Sequence, residues 1–273
     1  MPLLDAAFGH HGNRQLHIAV LGRLHVTFHG GDDGGIDVTG PLAPRHRELL
    51  AYLTLHPTGV HRDVLCVALW PNAPRDRPHN AFHATLSQLR RALRTTAEPL
   101  GDTVRHHDGH YALNTDLVTV DLWQLQDALA AHHRAGSTPQ RLAALRTIGD
   151  LYGGDFAADV AGDWAETPRE RLRRDVLDAH STLIRALRDS DPEQTLALLE
   201  QARGMDPHNE AIYRGIARVQ ALLGHYDAIS RTLSLLATAL AEIDEEPSKE
   251  TVTFLESLKK IKVPDSRSGP RAV

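Results

Sequence analysis

One cysteine, Cys66, stands in 273 residues, so no internal disulfide can form and the chain suits a reducing cytosol. Long hydrophobic runs are missing too. With no stretch of about 18 uninterrupted apolar residues, no membrane-spanning helix is expected. The segment from Met1 to Gln15 carries Asp5 and two histidines but no apolar run, so it does not read as a secretory leader. Residues 1–15 and 263–273 are expected to be disordered tails, and the protein to be cytoplasmic. The signatures of catalysis are absent as well: there is no GxSxG, no HExxH and no phosphate-cradling GxxxxGK[ST]. Glu166, Glu170 and Asp175 lie among arginines at helical spacing and are explained by solvated ion pairs. No enzyme and no cofactor are expected.

What is present is ordinary for a globular protein: 41% hydrophobic and 24% charged residues, in a length that suits two domains. The formal net charge of −5 argues at first against nucleic acid. Its distribution matters more. Between positions 75 and 94 there are arginines at 75, 77, 90, 91 and 94 against one acid, Asp76, while the acidic excess gathers in the second half, as in Glu242 to Glu250. Arginine also far outnumbers lysine, a bias that fits a GC-rich genome.

The patterning changes character along the chain. Leu16 to Phe28 alternates apolar and polar residues around Gly22, which predicts two strands, and Ile36 to Val38 a third. Pro44 opens a helix over 45–56 with Leu49, Leu50 and Leu53 on one face, and a second short helix runs from His61 to Leu69. A third spans Asn80 to Leu93, where Phe82, Leu86, Leu89 and Leu93 share a face at 100° per residue. Thr103 to Asn114 reads as a hairpin around Asp108-Gly109, a type I′ signal. Strands, three helices, then a hairpin is the order of a winged helix-turn-helix, expected over residues 16–115. From Asp121 strand signals stop. Helical patterns occupy about 121–135, 138–151, 166–189, 191–204, 208–223, 225–243 and 248–260, and helix pairs recur at about 34 residues, a tetratricopeptide-like period. The fold class expected is thus mainly α: a winged helix-turn-helix (α+β) domain followed by an all-α helical repeat domain over 119–262.

The third helix is the main candidate for function. Opposite its apolar face project Asn80, Ala84, Ser87, Gln88 and Arg91, and a helix of this kind fits the major groove. Arg91 suits phosphate or guanine and Gln88 suits adenine. Thr85 and His83 are further candidates, while Arg77, Arg90 and Arg94 suit phosphate contacts that position without specifying. In the hairpin, Arg105 and His106, with His107, suit the minor groove or phosphate. His106, His107 and His110 also raise zinc, but strand alternation sends neighbours to opposite faces and no cysteine is near, so no metal is expected. His61-Arg62-Asp63 reads as a helix cap, and Cys66 as an inert thiol on an apolar face. In the helical half, Arg169, Arg173, Tyr213, Arg214 and Arg218 are candidates for a concave partner-binding surface.

Several segments together resemble a known family. AVLGRLHV, RHRELLAYLTLHP, DVLCVALWP, NAFHATLSQLRRALR and HHDGHYALN resemble the OmpR-type winged-helix domain of the actinobacterial antibiotic regulatory proteins. VDLWQL, LYGGDF, DWAETPRERLRR, LGHYDAI and EEPSKETV resemble the bacterial transcriptional activator domain of the same proteins. The resemblance covers about residues 16–260. It implies a sequence-specific activator that binds double-stranded promoter DNA at direct repeats as two copies, contacts RNA polymerase and controls secondary metabolism. No nucleotide-binding module of the larger relatives is expected. The alternative is a protein-interaction or ligand-sensing helical-repeat regulator with a weak DNA-binding part.

Overall fold

The computed structural model describes residues 15–30, 34–74, 79–96 and 101–260. The chain divides into two compact units, Met1–Arg174 and Asp175–Val273. The first therefore extends past the expected junction at residues 115–119.

The first unit opens with β1 (Gln15–Ala19), β2 (His25–His29) and β3 (Ile36–Asp37), then α1 (Pro44–Thr54), β4 (Val60–His61), α2 (Arg62–Leu69) and α3 (Asn80–Thr96). Strands β5 (Val104–His107), β6 (His110–Leu113) and β7 (Val118–Val120) follow. Helices α4 (Asp121–Arg134), α5 (Thr138–Leu151) and α6 (Glu166–Leu187) come next, the last entered through a 3-10 turn at Asp163–Ala165. The unit boundary falls inside α6.

One sheet has the order β3-β2-β1-β7, and a second has β4-β6-β5. The alternation read in the sequence builds the first. Leu16 pairs with Phe28 on one side and Val118 on the other, and Ile18 likewise with Val26 and Val120. All six are buried, so two apolar rows cross the sheet on its inner face. β7 runs parallel to β1 and was not foreseen, nor was β4. Strands of two or three residues carry no readable period, and the partners of β7 lie about a hundred positions upstream. Leu49, Leu50 and Leu53 of α1 are fully buried, which makes α1 the central helix, as its spacing predicts.

β1 is prolonged in an unusual way. Past Ala19 its backbone leaves β2 and is caught by the Asp121 carboxylate, which accepts from Val20 N at 2.9 Å and Leu21 N at 3.0 Å. It then pairs with the loop after α5: Leu21 bridges Phe156, Gly22 N donates to Asp155 O at 3.1 Å, and Ala157 N donates to Val20 O at 2.7 Å. A Cβ on Gly153 would stand 2.9 Å from Leu21 O, so only glycine permits this approach. That is the physical content of the LYGGDF segment.

The second unit holds α7 (Pro192–Met205), α8 (Glu210–Leu222), α9 (Tyr226–Ala241) and α10 (Lys249–Lys259), with the C-terminal part of α6. Asp191, Asn209 and Ser248 cap α7, α8 and α10 through side-chain oxygens. Leu199, Ile216 and Val219 join α7 to α8, and Ala217, Ile229, Leu255 and Leu258 join α8, α9 and α10. Neither hairpin could bury these stripes alone. The fold is the expected one, a winged helix-turn-helix followed by helical hairpins. Among the described residues no helix is long and apolar enough to cross a membrane.

Candidate nucleic-acid interface

The helical spacing of α3 sorts its residues cleanly. Phe82, Leu86, Leu89 and Leu93 are buried, and Phe82 packs edge-on against Tyr111 of β6 at 4.7 Å. On the other side Asn80, His83, Ala84, Ser87, Gln88, Arg91 and Arg94 are exposed. Thr85 is 8% exposed. It lies three residues after Phe82 and four before Leu89, on the inward stripe, and the helix period removes it from any surface available to a duplex. Arg77 lies outside the described residues.

The wing beside α3 is β5, a two-residue turn and β6. Asp108 at φ 46° and Gly109 at φ 76° both take the left-handed conformation, as a type I′ turn requires. Arg105, His106 and His107 are exposed. His106 is stacked on Tyr111, its register partner, at 4.5 Å. His107 pairs across the strands with His110, and His110 Nδ1 lies 3.1 Å from Asp108 O. β4 pairs with β6, so the wing is the edge of a three-stranded sheet rooted between α1 and α2.

Two of the expected phosphate-binding arginines have other work. Arg90 is only partly exposed; its guanidinium reaches Asp102 at 2.8 Å and Val104 O at 2.7 Å, so it braces α3 against β5. Arg105 is ion-paired to Asp116. That pair is exposed, and such pairs contribute about 0–1 kcal/mol, so a phosphate can displace the carboxylate at little cost. Among the described residues, Arg91 and Arg94 have no carboxylate partner of this kind. Burial lowers the pKa of the buried His46 of α1, and the Gln88 side chain partly offsets this.

Between α3 and the wing lies a cleft of about 570 Å³ lined by His83, Ser87, Arg90, Arg94, Asp102 and His106, among others. His83 has its pKa lowered first by burial and then by Arg62, His79 and His106 nearby. At the N-terminus of α2, His61 accepts from Asp63 N at 3.3 Å, the cap that the sequence suggests. Cys66 is buried against His79, and burial and Asp63 push its thiol pKa up, as befits an inert side chain.

Residues 120–259 match the family described as bacterial transcriptional activator domain. The chain belongs to that family. It is a family of transcriptional regulators, in keeping with the resemblance carried by the sequence. Among solved structures, the chain is similar to Mycobacterium tuberculosis EmbR in complex with a low affinity phosphopeptide, at 21% identity and a TM-score of 0.58, over 93% of this chain and 67% of that one. At that identity the likeness is one of fold. No curated protein matches the sequence.

Within the activator-domain segment, the side chains suggested for partner binding are largely committed to structure. Arg169 donates to the carbonyls of Phe156, Ala157 and Val160 at 2.7–2.9 Å. Arg173 pairs with Asp155 and Glu170. In the second unit, Tyr213 is buried with its hydroxyl donating to Pro207 O at 2.8 Å, Arg214 donates to Thr251 at 2.6 Å, and Arg218 lies over the Phe254 ring. Sequence spacing gives the helix but not which partners its long side chains find.

The activator-domain segment also reaches into the winged helix. Trp164 Nε1 donates to the Glu48 carboxylate at 3.2 Å, and Trp123 Nε1 donates to Thr54 O at 2.8 Å. Asp159 accepts from Leu24 N at 2.7 Å and lies 3.7 Å from Arg47. Trp164 reads from the sequence as a packing residue, but spacing alone does not name Glu48, Thr54 or Leu24 as partners.

Proposed function

We propose that this chain is a sequence-specific DNA-binding transcriptional activator, with α3 lying in the major groove and the wing at the flanking minor groove. The observation that carries the reading is the continuous exposed stripe of α3, from Asn80 through His83, Ala84, Ser87, Gln88 and Arg91 to Arg94, set beside an exposed wing. The stripe mixes small, amide and cationic side chains. That is the composition that reads base edges while holding phosphate. In this reading Asn80, Ser87, Gln88 and Arg91 face bases, while His83, Arg94, Arg105 and His106 face the backbone. Arg77 belongs with the latter. Arg90 holds the two elements at their working separation.

The family match supports regulation of transcription. Binding as two copies on promoter direct repeats, contact with RNA polymerase and control of secondary metabolism complete the proposal, in a cytoplasmic protein that needs no cofactor. The pairing of Arg90 and Arg105 with carboxylates favours one competing reading, a helical regulator whose winged helix binds DNA weakly. Genome-wide mapping of bound sites, followed by fluorescence anisotropy on the recovered fragments and scrambled versions of them, separates the two. Discrimination of about a thousandfold or more supports the activator. Equal affinity for both sets, or no binding at low salt, supports the competitor.

A further inference from the structure

Imidazoles wall the cleft between α3 and the wing on both sides. His83 comes from α3 and His106 from β5, and both are exposed at its mouth. Ser87 and Arg94 add donors along the same wall. The acid lining the cleft, Asp102, is engaged by Arg90 at 2.8 Å. Around this core stand more histidines: His79 lies 3.4 Å from the Asp63 carboxylate, and His61 and His110 meet edge-to-face at 5.2 Å. A cleft lined by donors, with its carboxylate already paired, is suited to a compact anion carried on a chain.

We propose that this cleft seats a backbone phosphodiester of a bound duplex between His83 and His106 and that His83 takes up a proton as it enters, so that DNA binding is proton-linked. The inference rests on the DNA-binding reading above and adds to it a specific site and a dependence on pH.

The argument is electrostatic. The charged and titratable groups facing His83 are Arg62 of α2, His79 ahead of α3 and His106 of the wing. Arg90, Arg94, Asp102 and Tyr111 complete the lining. Asp63 is drawn to His61, Arg62 and His79. In the free protein partial burial, and after it the Arg62 guanidinium, hold His83 below its ordinary range. A phosphate entering the cleft reverses the sign of the local field and favours the protonated ring. Binding that takes up protons strengthens as pH falls, by at most about tenfold per pH unit for each fully coupled histidine. A face built on arginine alone has no such dependence, because guanidinium stays charged.

Phosphate contacts are independent of sequence, so a mixed-sequence duplex serves as the probe. Anisotropy titrations of the full chain at low salt, from about pH 6 to about pH 8, are expected to show affinity falling by tenfold or more as pH rises. The double variant His83→Gln and His106→Gln removes both imidazoles of the cleft from exposed positions. It is expected to lose most of the pH dependence, whatever its affinity at high pH. His83→Arg is expected to bind more tightly than wild type at high pH. Thermal unfolding at each pH confirms that the fold is constant. A flat wild-type profile with clear binding would overturn the inference and leave the DNA-binding reading standing. So would an unchanged slope in the double variant. No binding at any pH would overturn both.

Discussion

Asp121 holds Val20 from a hundred residues away: both carboxylate oxygens lie within 3.0 Å of the Val20 backbone nitrogen. Oδ2 also accepts from Leu21 N, and Oδ1 from Leu122 N at 2.7 Å. One side chain thereby caps the start of α4 and replaces the strand partner that β1 loses after Ala19. Asp121→Ala leaves these buried donors unpaired and is expected to lower the stability of the first unit by about 2–4 kcal/mol. All three tryptophans, Trp70, Trp123 and Trp164, belong to that unit. Intrinsic fluorescence during urea unfolding therefore reports on it selectively.

The same carboxyl gives a pH signature. Burial raises the Asp121 pKa above the ordinary carboxylate range, against the opposing pull of the backbone donors. The folded state thus holds this proton more tightly than the unfolded chain does. The stabilisation from that proton is complete below the unfolded value and is lost as pH rises through the folded one. Wild type should lose stability relative to Asp121→Asn across that window. A difference that stays constant or widens in favour of wild type would show that the hydrogen bonds outweigh burial.

Arg91→Ala is expected to weaken DNA binding by about 1–3 kcal/mol if the side chain reads a base. Thr85→Val, on the same helix but inward-facing, should leave affinity unchanged within error. Anisotropy on a mapped binding site checks both. Loss of affinity in the threonine variant alone would mean that α3 is rotated relative to the orientation argued above.

Gly109 is the second of the two left-handed residues of the wing turn, and a Cβ there would stand 2.8 Å from His61 Nε2. Gly109→Ala should cost about 1 kcal/mol of stability and weaken DNA binding more than that cost explains, because the wing tip is displaced. Unfolding and anisotropy measured on the same variant test this. Full affinity would show that the wing tip does not touch the duplex.

A fragment covering residues 15–115 and one covering 15–174 should behave differently. The shorter lacks β7, Asp121, the Phe156 bridge and the Trp164 bond to Glu48. It is expected to bind hydrophobic dye and unfold without cooperativity. The longer should melt in a single transition. Equal cooperativity in the two would mean that the winged helix needs no support from the activator-domain segment.

Much of this architecture is readable from residues alone. The three-and-four spacing of Phe82, Leu86, Leu89 and Leu93 fixes which side of α3 is outward. Asp108-Gly109 fixes the wing turn, and Asp191, Asn209 and Ser248 mark helix starts. What the residues could not announce is pairing at long range. β7 has three residues, and nothing in Val118-Thr119-Val120 names β1 as its parallel neighbour. Glu48 sits inside α1 as if on a solvent face, yet it is buried because Arg45 and Trp164 satisfy it. Arg90 and Arg169 looked like free cations because spacing is blind to the carbonyls and carboxylates that a folded chain brings within reach.

The partners of β1 set a timetable for synthesis. This strand is made first, but its neighbours at 118–120 and 155–157 leave the ribosome much later. Until they emerge, one flank of Leu16 and Ile18 stays open to solvent. The half of the molecule proposed to grip DNA is therefore unfinished until well over a hundred further residues have been translated, and a ribosome stalled before Phe156 would hold a nascent chain with its first strand still unsheltered.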